Sequence, residues 1–184
     1  MLHDKVAVAT ATTHQESDVS ERVIDDRISG YLAEAMIVRL ATVTPAGRPH
    51  VAPYWFATDG DRIVISTLAN QTVRNIRANP DVAILVDLGV DFRELRGALI
   101  RGLARLYEPG DELPPDVRRL VDEIDRIHAS ELEEDEFLRY QRWETRNHVA
   151  IEVTPSSATW FDLGRAEMGR TGPDAGRPIG PGAA

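Results

Sequence analysis

The sequence contains no cysteine. Disulfides, thiolate metal sites and a thiol nucleophile are therefore excluded. No apolar run approaches the roughly 18–20 residues of a membrane-spanning helix. The opening "MLHDKVAVATATTHQESD" has neither a basic leader nor a long apolar stretch. No signal peptide is read, and a cytoplasmic protein without a membrane partner is expected. Positive charge is also scarce, with 21 Lys and Arg against 30 Asp and Glu and a net charge of −9. Nucleic-acid binding needs a positive surface, so that class is set aside. Metal and nucleophile motifs are missing too. His128 and His148 stand too far apart and lack acidic spacing, so no metal is expected. There is no H-E-x-x-H, G-x-S-x-G or Walker loop, so no side-chain catalytic group is assigned.

What is present fits one globular domain of 184 residues. Residues 1–19 lack hydrophobic periodicity and read as a flexible arm. Ser20 opens an amphipathic helix in which Val23, Ile24, Ile28, Tyr31, Leu32 and Ala35 recur at helical spacing. A β series follows. Met36–Thr44 is β-branched, Pro45–Gly47 is a turn, and Arg48–Thr58 alternates and carries aromatics. Asp59–Gly60 is a two-residue hairpin signal, and Asp61–Thr67 is the returning strand. "TVRNIRAN" then reads as a short helix with Thr72 as N-cap and Pro80 just past its end. Asp81–Leu88 is a near-continuous apolar strand. Glu94–Glu108 is a long strand whose Gly97 and Gly102 suggest bulges or tight bends. An acidic block from Asp111 to Glu136 reads as a solvated helical face. Residues 116–131 and 134–145 look helical, the second grouping Phe137, Tyr140, Gln141 and Trp143. His148–Leu163 returns to strand. The Gly- and Pro-rich segment 164–184 reads as a disordered tail. The expectation is a mainly β protein, a six-stranded antiparallel barrel spanning residues 20–163. It carries an N-terminal helix and a helical excursion before its last strand.

Two stretches carry chemistry. In "ISTLANQTVRNIRANP" a strand, a polar turn and a helix N-terminus follow one another, an arrangement that offers backbone N–H groups and a positive dipole end to an anion. Ser66, Thr67, Asn70, Gln71 and Thr72 supply neutral donors, and Arg74 and Arg77 supply charge. Taken alone, the stretch reads first as a capped helix with solvated arginines, since caps of this kind are common. In the strand His50–Trp55, His50, Ala52, Tyr54 and Phe56 share one face, and Val51, Pro53, Trp55 and Ala57 the other. Pro53 cannot donate to a ladder, which suits an edge or groove. A lone His50 reads as structural. Arg96 reads as a surface arginine or one able to reach a bound anion.

The segment "RLATVTPAGRPHVAPYWFATDGDRIVISTLANQTVRNIRANPDVAILV" resembles the split-barrel flavin-binding superfamily of pyridoxamine 5′-phosphate oxidase. It is most similar to the actinobacterial branch of flavin/deazaflavin oxidoreductases. The resemblance runs from about Ser20 to Leu163. It rests on the ordered set L-A-T-V, G-R-P-H, an aromatic strand, D-G-D, S-T, R-N-I-R-x-N-P and a later R-G. It implies a split β-barrel homodimer with FMN or the deazaflavin coenzyme F-420 at the subunit interface. It also implies hydride transfer to or from a small conjugated substrate. It places His50, Val51, Ala52, Pro53 and Trp55 by the ring. It places Ser66, Thr67, Asn70, Thr72 and Arg74 by the phosphate, with Arg96 a further cofactor contact. Relatives often carry lysine in the phosphate turn; here Arg74 is the nearest base. The alternatives are a split barrel that binds a flavin, haem or tetrapyrrole without turnover, or an interaction protein that has lost its cofactor.

Overall fold

The computed structural model describes residues 22–131 and 148–176. The arm at 1–19 and the helix expected at 134–145 lie outside the described residues. One antiparallel sheet contains β1 (Val38–Val43), β2 (Pro49–Tyr54), β3 (Phe56–Asp59), β4 (Arg62–Leu68), β5 (Asp81–Leu88), β6 (Arg96–Tyr107), β7 (His148–Asp162) and β8 (Glu167–Thr171). The hydrogen-bonded order is β2-β1-β5-β6-β7-β4-β3, with β8 beside the second half of β7. β2 and β3 therefore sit at the two ends of the order, yet only Trp55 separates them in sequence. The chain running through Trp55 pairs first with β1 and then with β4. This closes the sheet into a split barrel, the class the alternating strands predict.

The six expected strands become eight for two reasons. The single aromatic strand Arg48–Thr58 divides at Trp55, because its halves pair with different neighbours. The segment from 164 onward, read as a disordered tail, instead carries β8 and a 3-10 turn at Gly172–Asp174. Backbone pairing with β7 from Ala158↔Thr171 to Asp162↔Glu167 outweighs its composition.

Alternation sorts the strands. Val38, Leu40, Ile63, Ile65, Ile84, Ile100, Ile151 and Phe56 point into one core. Each such burial contributes on the order of 1.5–3 kcal/mol. Helix α1 (Asp26–Glu34) adds Ile28, Tyr31 and Leu32, and α2 (Gln71–Ala78) adds Val73 and Ile76, both to this same core. Helix α1 starts later than the Ser20 reading. Asp25 takes the cap, its Oδ1 accepting the Ile28 N–H at 2.8 Å. Val23 and Ile24 precede it and are buried.

Helix α3 (Pro115–Glu131) packs outside the barrel. Val117, Leu120, Val121 and Ile124 cover Ala57, Val64, Tyr107 and Ala150. Its N-terminal end is tied by charge. Arg62 pairs with Asp116 and, at 2.7 Å, with Glu152. The Tyr107 hydroxyl donates to Glu152 at 2.6 Å. Burial, then this hydrogen bond, push the phenol pKa up to about 12. Among the described residues, no helix is long and apolar enough to cross a membrane.

Two glycine readings are refined. Gly60 supplies the positive φ of 58° at the first position of the β3–β4 turn, whose two residues are Gly60 and Asp61. The turn thus lies one residue later than expected. The β6–β7 register shifts between Arg101 and Gly102, the bulge that glycine suggested. A Cβ on Gly102 would fall on the Thr154 carbonyl, and one on Gly97 on the Val86 carbonyl. Gly30, on the exposed side of α1, has open space around its Cβ position. In chemical denaturation, Gly102→Ala is expected to cost roughly 1–3 kcal/mol, because backbone must move to admit the methyl. Gly30→Ala is expected to gain about 0.5–1 kcal/mol from helix propensity.

Candidate functional site

β2 is the terminal strand of the sheet order, so one of its edges has no ladder partner among the described residues. Its exposure alternates strictly, with Pro49, Val51 and Pro53 outward and His50, Ala52 and Tyr54 half-buried. Trp55 continues the outward row. Val51 is 58% and Trp55 40% exposed. Two prolines remove two N–H donors from the edge, which discourages a further strand from pairing there. What remains outward is a short apolar strip.

The inward face meets the N-terminus of α2. Asn70, not Thr72, caps this helix. Its backbone is extended and its Oδ1 accepts the Val73 N–H at 3.1 Å. Thr72 lies one turn position inside and is fully buried. Its hydroxyl accepts a hydrogen bond from the Tyr54 hydroxyl at 2.8 Å and lies 3.2 Å from His50 Nε2. The Asn70 amide donates to both the Tyr54 hydroxyl and Thr67 Oγ1 at 3.1 Å. The Tyr54 proton is thus directed to Thr72, and the Thr72 proton is left for His50. A chain of hydrogen bonds runs from β4 through Asn70, Tyr54 and Thr72 to His50 on β2. It bridges the split, where no ladder joins β2 to β4 among the described residues.

A second chain lies beside the first. Gln71 donates to Asn75 Oδ1 at 2.7 Å, and Asn75 donates to Thr42 Oγ1 at 2.9 Å. Asn75 and Thr42 are buried. Arg74 is exposed and donates to Gln71 Oε1 at 2.7 Å, which holds its guanidinium near the helix N-terminus.

The expected site residues therefore separate into groups. His50, Thr67, Asn70 and Thr72 come together at the β2–α2 junction, with Arg74 on its exposed side. Ala52 lies between His50 and Tyr54 on the inward face. Val51, Pro53 and Trp55 line the outward strip. Two residues fall elsewhere. The Ser66 hydroxyl lies on the other face of β4, 2.8 Å from His148 Nε2. Strand alternation sends neighbouring Ser66 and Thr67 to opposite sides. Arg96 is drawn to α1, donating to Glu34 at 2.5 Å and to the Glu94 carbonyl at 3.2 Å. The Thr72 cap is likewise corrected to Asn70.

Sequence reasoning placed Tyr54 on the His50 face but gave it no role, weighed His148 only as a metal ligand, and did not single out Thr42 or Asn75. The i,i+4 spacing of Gln71 and Asn75 was a readable signal. The Thr42–Asn75 contact depends on tertiary placement and had none. Thr72→Val is expected to destabilise the fold by roughly 1–3 kcal/mol, because it leaves Tyr54 and His50 without their shared partner in a buried setting. Equilibrium denaturation checks this; a loss well below that range would mean water replaces the hydroxyl.

The protein-family model described as pyridoxamine 5′-phosphate oxidase matches residues 24–159. No curated protein matches the sequence. Among solved structures, a conserved hypothetical protein from Mycobacterium tuberculosis is similar, at 20% identity and a TM-score of 0.62. The match covers 89% of this chain and 97% of that one. An F-420 reductase is similar at 25% identity and a TM-score of 0.51, covering 73% of this chain and 97% of that one. The haem storage protein of Vibrio cholerae is similar at 16% identity and a TM-score of 0.54, covering 73% and 91%.

Proposed function

The chain belongs to the pyridoxamine 5′-phosphate oxidase family, and from that premise we propose that it is a flavin- or deazaflavin-dependent oxidoreductase. The observation that carries the reading is the two-sided edge strand. β2 offers an apolar strip outward at Val51, Pro53 and Trp55, and inward a rigid junction with the N-terminus of α2. A planar conjugated ring fits the first, and an anionic tail fits the region of Arg74. Such a ring, when bound, supplies the hydride chemistry. The residues of the chain bind, orient and exclude water.

Each contribution follows from geometry. Val51, Pro53 and Trp55 give apolar contact, and Ala52 leaves the strand backbone approachable. Thr67 and Asn70 are committed to holding the helix N-terminus in place. They therefore act on a tail mainly by fixing the backbone N–H groups of α2. Arg74, steered by Gln71, is the cation at that end. Thr72 and His50 brace the junction from within, the Thr72 hydroxyl being shared between Tyr54 and His50. Ser66 and Arg96 are left out of the reading.

The site is completed by a second copy of the chain. Val43, Val51, Leu103 and Met168 are all exposed by more than a third. The strand registers place them on one face of the sheet: Val43 opposite Pro49, Ala41 opposite Val51, Asp81 opposite Leu103, Phe161 opposite Met168. Exposed apolar side chains that share one face of a sheet favour an association surface.

Titration with FMN and with coenzyme F-420 tests the reading, each followed by quenching or a shift of the cofactor's own absorption. Binding of one of them in the micromolar range is expected. If neither binds, the oxidoreductase reading fails. Arg74→Ala is expected to weaken that binding by about 1–3 kcal/mol, the worth of a charged hydrogen bond. An unchanged affinity would remove Arg74 from the site.

A further inference from the structure

The direction of each hydrogen bond at the β2–α2 junction follows from the helix end. The Val73 N–H donates to Asn70 Oδ1, which fixes which way that amide points. Its Nδ2 then gives one hydrogen to the Tyr54 hydroxyl and one to Thr67 Oγ1, both at 3.1 Å. An amide nitrogen has two hydrogens, so both are used. The Tyr54 oxygen receives one of them and sends its own proton to Thr72 Oγ1 at 2.8 Å. Thr72 is 0% exposed, so its hydroxyl proton needs a partner inside the protein. Among the described residues, the partner left for it is His50 Nε2, at 3.2 Å.

An imidazole nitrogen that accepts a proton from a hydroxyl carries none of its own. With Nε2 accepting, the proton of the neutral ring sits on Nδ1. The opposite tautomer would aim two donors at Thr72, from Tyr54 and from His50. The Thr72 proton would then be buried without an acceptor, and a buried donor left unpaired forfeits its hydration outright. The network therefore admits one tautomer.

His50 is half-buried, and its Nδ1 has no hydrogen-bond partner among the described residues. The ring stands beside the first turn of α2, on the strand whose other face carries Val51 and Pro53. Arg74 lies on the exposed side of the same helix start.

We infer that His50 is held as its Nδ1–H tautomer and that this N–H is a donor to an oxygen of the bound cofactor. The inference rests on the flavin or deazaflavin reading of this junction. Asn70, Tyr54 and Thr72 act through His50 as positioning residues, since they decide which nitrogen carries the proton. The contact has a sense. It favours an acceptor, a phosphate oxygen or a ring carbonyl, and opposes an N–H group in the same place. Unlike Arg74, it discriminates without adding charge.

Long-range proton–nitrogen correlation spectra of the free protein, 15N-labelled at histidine, read the tautomer at about pH 8, where an ordinary imidazole is neutral. The His50 signals are those missing from His50→Gln. A pyridine-like Nε2 and a pyrrole-like Nδ1 are expected. Thr72→Ser keeps the hydroxyl and is expected to keep this pattern. Thr72→Val removes it and is expected to move the proton toward Nε2. A pyrrole-like Nε2 in the wild type overturns the proposal, and so does an unchanged pattern in Thr72→Val. Should Thr72→Val not fold, the wild-type spectrum decides the tautomer.

FMN and coenzyme F-420 are then titrated into the same sample. The one that binds is expected to shift the His50 Nδ1 signals while the proton stays on Nδ1. Inorganic phosphate reproduces the shift where the acceptor lies on the tail, and riboflavin where it lies on the ring. A bound cofactor that leaves Nδ1 unmoved overturns the donor role. If neither cofactor binds, the oxidoreductase reading fails and the donor role with it. The tautomer, read in the free protein, stands or falls separately.

Discussion

The closure of the sheet at Trp55 is the constraint on which the remaining architecture depends. One continuous strand must serve both ends of the strand order, pairing with β1 before Trp55 and with β4 after it. This leaves the first half, β2, with an edge that has no ladder partner among the described residues, and brings that strand near the start of α2. The junction has no ladder, so the hydroxyls of Tyr54 and Thr72 and the amide of Asn70 must do the work of backbone pairing. Buried polar groups in such a position rigidify a fold only when each has its partner. Here the donors and acceptors pair in sequence, from Thr67 to His50.

That constraint explains why so much of the local structure was legible and why some of it was not. The alternation of His50 to Ala57 was readable and persists straight through Trp55. Phe56 enters the barrel core, and Ala57 lies under α3. The break in pairing at Trp55 leaves no mark in the pattern, because a strand that changes partners keeps its period of two. The glycine at 102 announced its bulge, since a Cβ there would fall on the Thr154 carbonyl. The cap of α2 was misplaced by two residues because Asn70 and Thr72 are both good capping residues. Which one faces the helix end is decided by Tyr54 and His50, contributed from another strand. The last strand, β8, was hidden for the opposite reason. Its composition argues for disorder, and only the extended second half of β7 gives it a partner.

The candidate site shows the same division. Residue types announced the apolar strip and the polar turn, but not how the two are related. The strand pleat puts them on opposite sides of β2, so one ligand contacts both only along the strand edge. The same pleat removes Ser66 from the turn by one position and gives it to His148. Arg96 is removed by longer-range electrostatics: the carboxylate of Glu34 on α1 lies within reach of its guanidinium, and a charged group settles on the available opposite charge.

The commitment of the polar side chains also bears on what the junction can do. A donor already bonded within the protein offers a ligand little energy of its own, because a new bond is gained only by breaking an old one. Thr72, Tyr54 and Asn70 are in that position. On the proposed reading, their effect on a ligand is to hold α2 still, so that its terminal N–H groups and the nearby Arg74 would meet an anion without first being ordered. Pre-ordered donors bind more tightly than mobile ones of the same chemistry, because the entropy of arranging them has already been lost during folding. On the proposed reading, a turn with one steered arginine and no lysine gains from the fixed junction, in rigidity, part of what a second cation would supply in charge.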